Sequence, residues 1–360
     1  MTLGGVAGML MTVPAGAWVD ASRRKRGLVA IPGICTVVAS ALILWSQSFW
    51  PVVLSQIATA VAGAVIGPAV TGITLGIFRQ SGFNRQNGLN QAYNHAGNAA
   101  GAALSGLLGW QFGLPAVFAL AVAFAIASIV SVSMIAPQLI DHAAARGTRE
   151  SAPDGAGNVR GLNVLLTCKP LLVLAVSLAL FHLGNAAMLP LYGMAMAASK
   201  QGNPAALVGA TIVIAQTTMV ATALFALSAS QRRGYWPVML ISFAVLPVRG
   251  LVAAHTPGSW GIFPVQILDG VGAGLQSVAV PGLVARILDG TGRINIGQGA
   301  VMTAQGVGAA LSPILGGWIA QWIGYGMAFL ILGLLAVGSL VIWITCQAQI
   351  RSISPVPKWS

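Results

Sequence analysis

Acidic residues are scarce in this chain, which contains only six among its 360 residues, and charged residues of both signs make up 7%. About a quarter of the residues of a soluble domain are charged, so the composition excludes an ordinary soluble globular protein. Apolar residues make up 56% of the sequence, and the mean hydropathy is +0.83. We therefore expect an all-α polytopic membrane protein.

Cysteines and catalytic motifs are also sparse. Cys35, Cys168 and Cys346 lie far apart, so neither a disulfide framework nor a CxxC metal site is expected. The sequence has no HExxH or GxSxG motif, and its four histidines are scattered, which argues against an intramembrane enzyme. It also has no P-loop, so ATP is not expected as the energy source, and no cofactor or metal is predicted.

Long apolar stretches recur along the whole chain. A helix that crosses a bilayer needs about 20 mostly apolar residues, and eleven stretches meet that requirement. The predicted spans are 1–19, 27–46, 50–78, 87–112, 113–136, 164–193, 204–229, 235–254, 259–285, 295–323 and 325–347.

The basic residues follow these spans with a strong bias. If the run from Arg23 to Arg26 is cytoplasmic, all of the 18 cations except Lys200 and Arg249 fall on that same side. This is the positive-inside pattern, so the net charge of +12 indicates membrane orientation and not nucleic-acid binding. The compact loops favour a bacterial inner membrane, with the N-terminus of the chain outside and the C-terminus cytoplasmic.

The two halves of the sequence are related by an internal repeat. "GAALSGLLGW" at 101–110 matches "GAALSPILGG" at 308–317 in seven of ten positions, at an offset of 207. Duplicated halves are a known plan of secondary transporters. The offset places a counterpart of the span at 164–193 ahead of Met1, so we expect a twelve-span plan that lacks its first span. A misassigned start, a fragment and a real truncation are all left open.

This repeat predicts the domain organisation. We expect an N-terminal bundle at 1–136, a flexible cytoplasmic linker at 137–163, a C-terminal bundle at 164–350 and a cytoplasmic tail at 351–360.

One loop carries a recognisable motif, "GAWVDASRRKRGL", from Gly16 to Leu28. It resembles the loop between the second and third spans of major facilitator superfamily transporters. Gly16, Asp20, Arg24, Lys25 and Leu28 match that pattern, whereas Trp18, Ala21 and Arg23 depart from it. Together with the repeat, the resemblance covers essentially the whole chain and implies two helical bundles around a central cavity.

The resemblance also implies a role for the loop. In the family the loop holds the two halves together in the outward-facing state, and its aspartate contacts the other half. An acid at a helix C-terminus opposes the helix dipole, so we expect Asp20 to contact either a cation or the N-terminus of another helix. A solvated loop acid is the alternative.

Asp269 is the sole acid deep in a predicted span. A charge at the bilayer centre is costly, so such a group is usually functional and paired. Counted from the turn near 255–259 at 1.5 Å per residue, Arg249 lies about 12 Å and Asp269 about 16 Å into the membrane. We predict an ion pair between them, with either a transport role or a purely structural one.

Other polar residues extend this candidate site. Gln266 and Gln276 share a helix face with Asp269, and His182 and Asn185 precede Pro190 in the span at 164–193. The resemblance implies that these spans line the central cavity. A buried histidine that only bonds to a neighbour remains an alternative for His182.

A polar or small stripe runs along the span at 87–112, and the repeat places a matching stripe on 295–323. Small residues and amides favour close helix contacts in lipid, so we predict a seam between the bundles, with substrate contact as the alternative. The predicted seam residues are Asn94, Asn98, Gly101, Ser105, Gln305, Gly308 and Ser312.

These features favour a secondary transporter that works by alternating access, namely a proton-coupled exporter of small, partly apolar organic molecules. Proton-coupled uptake and a truncated, non-transporting remnant are the alternatives. The expected partners are the substrate, protons and the lipid bilayer, and the resemblance implies a monomer.

Overall fold

The structure is a computed structural model that describes residues 2–46, 48–148, 167–198, 204–256 and 258–353. Every regular element within these ranges is helical. The first five helices are α1 (Thr2–Ala21), α2 (Gly27–Trp45), α3 (Phe49–Phe112), α4 (Leu114–Ser133) and α5 (His142–Arg146). They are followed by α6 (Lys169–Asn185), α7 (Met188–Ala198), α8 (Pro204–Arg233), α9 (Tyr235–His255), α10 (Ile262–Ile287), α11 (Ile294–Ile323), α12 (Tyr325–Thr345) and α13 (Gln347–Arg351).

These helices occupy the eleven predicted spans. Among the described residues, seven helices are long and apolar enough to cross a membrane. The expected all-α, multi-pass membrane fold is therefore confirmed.

The polar break expected near residues 79–86 is much shorter than predicted. The range given for α3 contains two helical segments that meet at a break at Arg79, which has φ 52° and ψ −175°, and the second segment begins directly after it. The polar side chains of 80–86 are compatible with a helix, so they do not end it. The Arg79 guanidinium lies 3.1 Å from the Asp141 carboxylate.

The first part of the predicted linker is folded. Pro137–Leu139 forms a 3-10 turn, and Asp141 caps α5 by accepting hydrogen bonds from the backbone N–H groups of Ala143 and Ala144. Ile140 is buried in an apolar cluster with α1, α2 and α3. Residues 137–148 thus differ from the flexible link that was expected, and 149–163 lie outside the described residues, as do Lys200 and the tail from 354.

The chain forms two compact units. Unit 1 comprises Met1–Phe83, Leu104–Cys168 and Val284–Thr303, and unit 2 comprises Asn84–Ala103, Lys169–Leu283 and Ala304–Ser360. Each unit therefore contains a short segment from the other half of the sequence. The division into bundles at 1–136 and 164–350 remains a prediction.

Helices α9 and α12 pack closely in unit 2. Each indole N–H of Trp236 and Trp343 donates to the backbone carbonyl of the other, at 3.3 and 3.0 Å. A Cβ atom added at Gly250 would lie 2.7 Å from the carbonyl oxygen of Phe329 and 3.0 Å from the Cα of Gly333. The pair therefore requires glycine at its crossing point.

We predict that Gly250→Ala lowers the stability of the protein. The added methyl group must push two backbones apart, and overpacking of this kind costs about 1–3 kcal/mol. Thermal unfolding of the detergent-purified protein, followed by tryptophan fluorescence, should show a lower Tm. Gly326→Ala is the matched control, because its Cβ would meet its nearest neighbour at 3.7 Å; equal Tm values for the two variants would contradict the packing argument.

Candidate functional site

The aspartate of the basic loop lies at the start of another helix. Asp20 Oδ2 accepts a hydrogen bond from the Ile296 backbone N–H at 3.0 Å, and Asn295 Nδ2 donates to Asp20 Oδ1 at 2.7 Å. Because α11 begins at Ile294, the carboxylate lies at the positive end of that helix dipole. Of the partners expected for Asp20, the helix N-terminus is the one that donates hydrogen bonds to it.

Gly16 lies one turn before Asp20 and makes this contact possible. A Cβ atom at Gly16 would collide with the backbone carbonyl group of Asn295. Positions i and i+4 share a helix face, so both residues of the motif meet the start of α11. Asn295 Nδ2 also donates to the carbonyl oxygen of Ala145 at 3.0 Å, which connects α1, α5 and α11 within unit 1.

Lys25 and Arg24 have different environments. Lys25 is 1% exposed, and its Nζ donates to the carbonyl oxygens of Val19 at 2.6 Å and Ser22 at 3.2 Å. It thereby satisfies carbonyl groups at the C-terminal end of α1. Arg24 is exposed, so of these two cations only Lys25 is held in the fold by hydrogen bonds.

The Asp20 carboxyl group lies beyond the predicted span at 1–19, and its pKa differs from the ordinary value of an aspartate. Burial raises its pKa to about 6, although hydrogen bonds from Asn295 and Ile296 and the charge of Lys25 act in the opposite direction. Burial also lowers the pKa of Lys25 to about 8, against the attraction of Asp20.

A second polar site lies inside unit 2, where three helices each supply one side chain. Arg249 Nη1 of α9 lies 2.7 Å from Asp269 Oδ1 of α10 and donates to Asn185 Oδ1 of α6 at 2.5 Å. Asn185 Nδ2 also donates to Asp269 Oδ1, at 3.4 Å. We call these three residues the Asp269 cluster. Arg249 is 1% exposed and Asp269 19%, so the carboxylate is its more accessible part.

The Asp269 cluster has unused hydrogen-bonding capacity. Arg249 Nε and Nη2 are buried and have no hydrogen-bond partner among the described residues, and the same holds for both amide atoms of Gln266. Gln266 lies one turn before Asp269 on α10. Because buried polar groups are normally satisfied, these atoms are suited to bind water or the polar groups of a small molecule.

The other predicted cavity residues lie in differing surroundings. His182 Nδ1 is 2.9 Å from the carbonyl oxygen of Leu178 on its own helix. Gln276 donates to Ser242 Oγ at 2.9 Å, and that hydroxyl donates to the Gly272 carbonyl oxygen. Gln276 is 6% exposed, so the contacts that the structure gives it are packing contacts between α9 and α10.

The seam prediction needs a correction at two positions. Ser312 Oγ accepts a hydrogen bond from the Ala187 backbone N–H at 2.9 Å, and a Cβ atom at Gly308 would collide with the Ala179 carbonyl oxygen. Both contacts lie within the second half of the sequence, because α11 packs here against α6 and its continuation. Of the other seam residues, Asn94 and Asn98 are exposed, and Gly101, Ser105 and Gln305 are partly buried.

Contacts between the two halves of the sequence lie nearer the N-terminal ends of α11 and of the helical segment at 87–112. In unit 1, the hydroxyl groups of Thr12 and Thr303 are 2.6 Å apart. In unit 2, Asn87 Nδ2 donates to the Val278 carbonyl oxygen at 3.1 Å. These contacts lie outside the predicted set of seam residues.

The sequence reasoning missed two residues with several polar contacts. His95 Nδ1 is 2.9 Å from Gln216 Oε1, and its Nε2 is 3.1 Å from Ser277 Oγ. Asn295 holds Asp20 in unit 1. The amide-rich sequence around His95 was a weak signal for the first residue, and nothing local marks Asn295.

Comparisons with known proteins agree with this fold. The model of the Major Facilitator Superfamily matches residues 1–263 and 174–352. An uncharacterised MFS-type transporter of Mycobacterium tuberculosis, Rv2456c in strain H37Rv and MT2531 in strain CDC 1551, is 35% identical over 349 residues, which cover 97% of this chain and 84% of the relative.

Two solved structures share the architecture. The human organic anion transporter MFSD10 (TETRAN) has a TM-score of 0.68 at 14% identity, covering 95% of this chain and 83% of that one. The MFS transporter FucP, in the outward conformation, has a TM-score of 0.65 at 13% identity, covering 96% and 89%. At these identities the likeness concerns the fold alone.

The protein is therefore a multi-pass membrane transporter. More particularly, the chain belongs to the Major Facilitator Superfamily.

We predict that Asp20 titrates near pH 6 in the folded protein. Since its folded-state pKa lies above the ordinary value of 3.8, its contribution to stability is fully present below 3.8 and is lost as the pH rises through about 6. Infrared difference spectra should show a protonated carboxyl band that disappears near pH 6. The band should be absent in Asp20→Asn and retained in Asp289→Asn, which changes an exposed acid; loss of the band near pH 4 would contradict the prediction.

Proposed function

We propose that this protein is a secondary transporter that works by alternating access and couples proton movement to the efflux of small organic molecules. The observation that supports this function best is the Asp269 cluster, in which an acid inside a predicted span is paired with a buried guanidinium group. Arg249 in this cluster and the neighbouring Gln266 offer unsatisfied donor and acceptor atoms. We place the chain in a bacterial inner membrane as a monomer, with the basic loop in the cytoplasm.

Proton binding at Asp269 would change the balance of the cluster. When the carboxylate is neutralised, Arg249 loses its counter-charge, and Asn185 Oδ1 remains as its hydrogen-bond acceptor. A buried cation without a counter-charge is unfavourable, so the guanidinium group then favours a new acceptor. A substrate group that donates a hydrogen bond needs the ionised carboxylate as its acceptor, so proton and substrate compete for Asp269.

The Asp20 contact supplies the second part of the proposed mechanism. The hydrogen bonds that Asp20 accepts favour the state in which α1 meets the start of α11, because they satisfy backbone N–H groups. A transporter that alternates between two states must break and remake such contacts. Because burial raises the pKa of Asp20 to about 6 in this state, protonation favours the contact and ionisation above about pH 6 weakens it.

The functional test uses purified protein in proteoliposomes with an imposed pH gradient. A panel of lipophilic dyes and drugs is first screened for transport by the unmodified protein. We predict that Asp269→Asn abolishes transport driven by the pH gradient but retains substrate exchange without a gradient, because exchange does not require proton turnover. Asp289→Asn, which alters an exposed acid, should behave like the unmodified protein.

The double variant Asp269→Asn/Arg249→Gln is the control for misfolding of the single variant. Asp269→Asn alone leaves a buried cation unpaired, a change that costs about 3–5 kcal/mol, whereas the double variant removes both charges. Proton-driven transport in the folded double variant would reject Asp269 as the coupling group. If the substrate instead accumulates in the alkaline compartment and so moves in the same direction as the protons, the function is proton-coupled uptake and not efflux.

A further inference from the structure

A cavity of about 650 Å³ lies in unit 1 beside the basic loop. It is bounded by the loop, the start of α2, the end of α4 and the start of α5. Its polar lining comes from Arg23, Arg24, Lys25, Arg26, Ser133 and His142. Four consecutive cations and an imidazole therefore surround one space.

Two of these cations are already engaged in holding the loop. Lys25 satisfies the end of α1, as described above. Arg26 Nη1 donates to the carbonyl oxygens of Ser133 at 3.2 Å and Ile135 at 2.7 Å, which fixes the loop against the end of α4. The frame of the cavity is thus built by direct contacts.

The remaining polar groups of the lining, two guanidinium groups and one imidazole, are available. Arg23 and Arg24 are exposed, and His142 Nδ1 is buried without a hydrogen-bond partner among the described residues. The nearby acids point elsewhere, because Asp141 contacts Arg79 and Asp20 contacts the start of α11. The cavity consequently contains positive charge that these acids do not neutralise.

The titration of His142 reflects this excess of positive charge. Burial lowers its pKa, and the charges of Lys25, Arg23 and Arg146 lower it further, while Asp141 acts in the opposite direction. The N-terminus of α2 adds to the positive potential, since the helix begins at Gly27 and Arg26 provides no side-chain cap. All these sources favour an anion.

The surroundings of the cavity are apolar and exposed. None of the residues of α4 is buried, and Val130 and Met134 at its end are 53% and 80% exposed. On α2, Ile31 and Ile34 are 60% and 47% exposed. In a protein that spans a membrane, such surfaces contact acyl chains, so the cavity lies where lipid headgroups meet the hydrocarbon.

We propose that this cavity binds the phosphate group of an anionic phospholipid. Arg23 and Arg24 would donate hydrogen bonds to the phosphate oxygens, and guanidinium groups suit that geometry. His142 would supply a further donor from its imidazole ring. Basic pockets between membrane helices on the cytoplasmic side are suited to such headgroups.

The test measures lipid binding to the purified full chain by native mass spectrometry. Dioleoylphosphatidylglycerol is compared with dioleoylphosphatidylcholine, which has the same acyl chains but no net charge. We expect saturable binding of the anionic lipid, and a loss of about tenfold or more in its affinity in the variant Arg23→Gln/Arg24→Gln, from two cations near the headgroup.

The repeat supplies a matched control. The segment "ASRRK" at 21–25 matches "ASQRR" at 229–233 in the second half. Arg232→Gln/Arg233→Gln therefore removes the same charge at the end of α8, outside the cavity, and should leave the affinity nearly unchanged. Equal losses in both double variants would overturn the proposal in favour of a general electrostatic attraction. If excess sodium phosphate displaces the lipid, the cavity binds free phosphate and the proposal of a lipid ligand is wrong. If the lipid stays bound, the proposal is supported.

Discussion

A guanidinium group inside an apolar helix bundle needs a counter-charge, and among the residues that the structure describes Arg249 finds it in Asp269. Burial of a cation without a partner costs several kcal/mol, so the positions of α9 and α10 are tied to each other through this pair. Asn185 brings α6 into the same arrangement. The carboxylate is nevertheless the more exposed member.

Asp20, like Asp269, contacts specific hydrogen-bond donors, but its donors are uncharged. Here the carboxylate faces backbone N–H groups at the start of α11 and an amide side chain. Burial opposes its ionisation while these donors support it, and burial is the larger effect, because it raises the pKa to about 6. Gly16 contributes by permitting the backbones to approach. The motif therefore combines one steric and one electrostatic requirement on a single helix face.

Much of this arrangement could be predicted from particular residues. Asp269 and Arg249 stood out because charges within apolar spans are rare, and helix geometry placed them at similar depth. The Asp20 contact was anticipated as one alternative because an acid at a helix C-terminus needs a partner. Asn295 was not, since it lies 275 residues away in sequence and no local pattern connects distant positions.

The errors have equally physical causes. The polar residues at 80–86 suggested a longer break between two spans, but the helical geometry is interrupted at Arg79 alone and the polar residues after it are helical. Gly308 and Ser312 matched the repeat, yet a small residue can serve any close helix contact, and here the contact is with α6 and its continuation. Sequence periodicity identifies which residues share a helix face, but it does not identify the helix that packs against that face.

The hydrogen bond between the Ala187 N–H and Ser312 Oγ has a mechanical consequence. An amide satisfied by a side chain of another helix does not depend on the carbonyl one turn earlier, so the chain can bend between α6 and α7 without leaving that amide unpaired in lipid. The junction just beyond Asn185 is thus a position where the helix axis can change direction while this amide keeps its hydrogen bond.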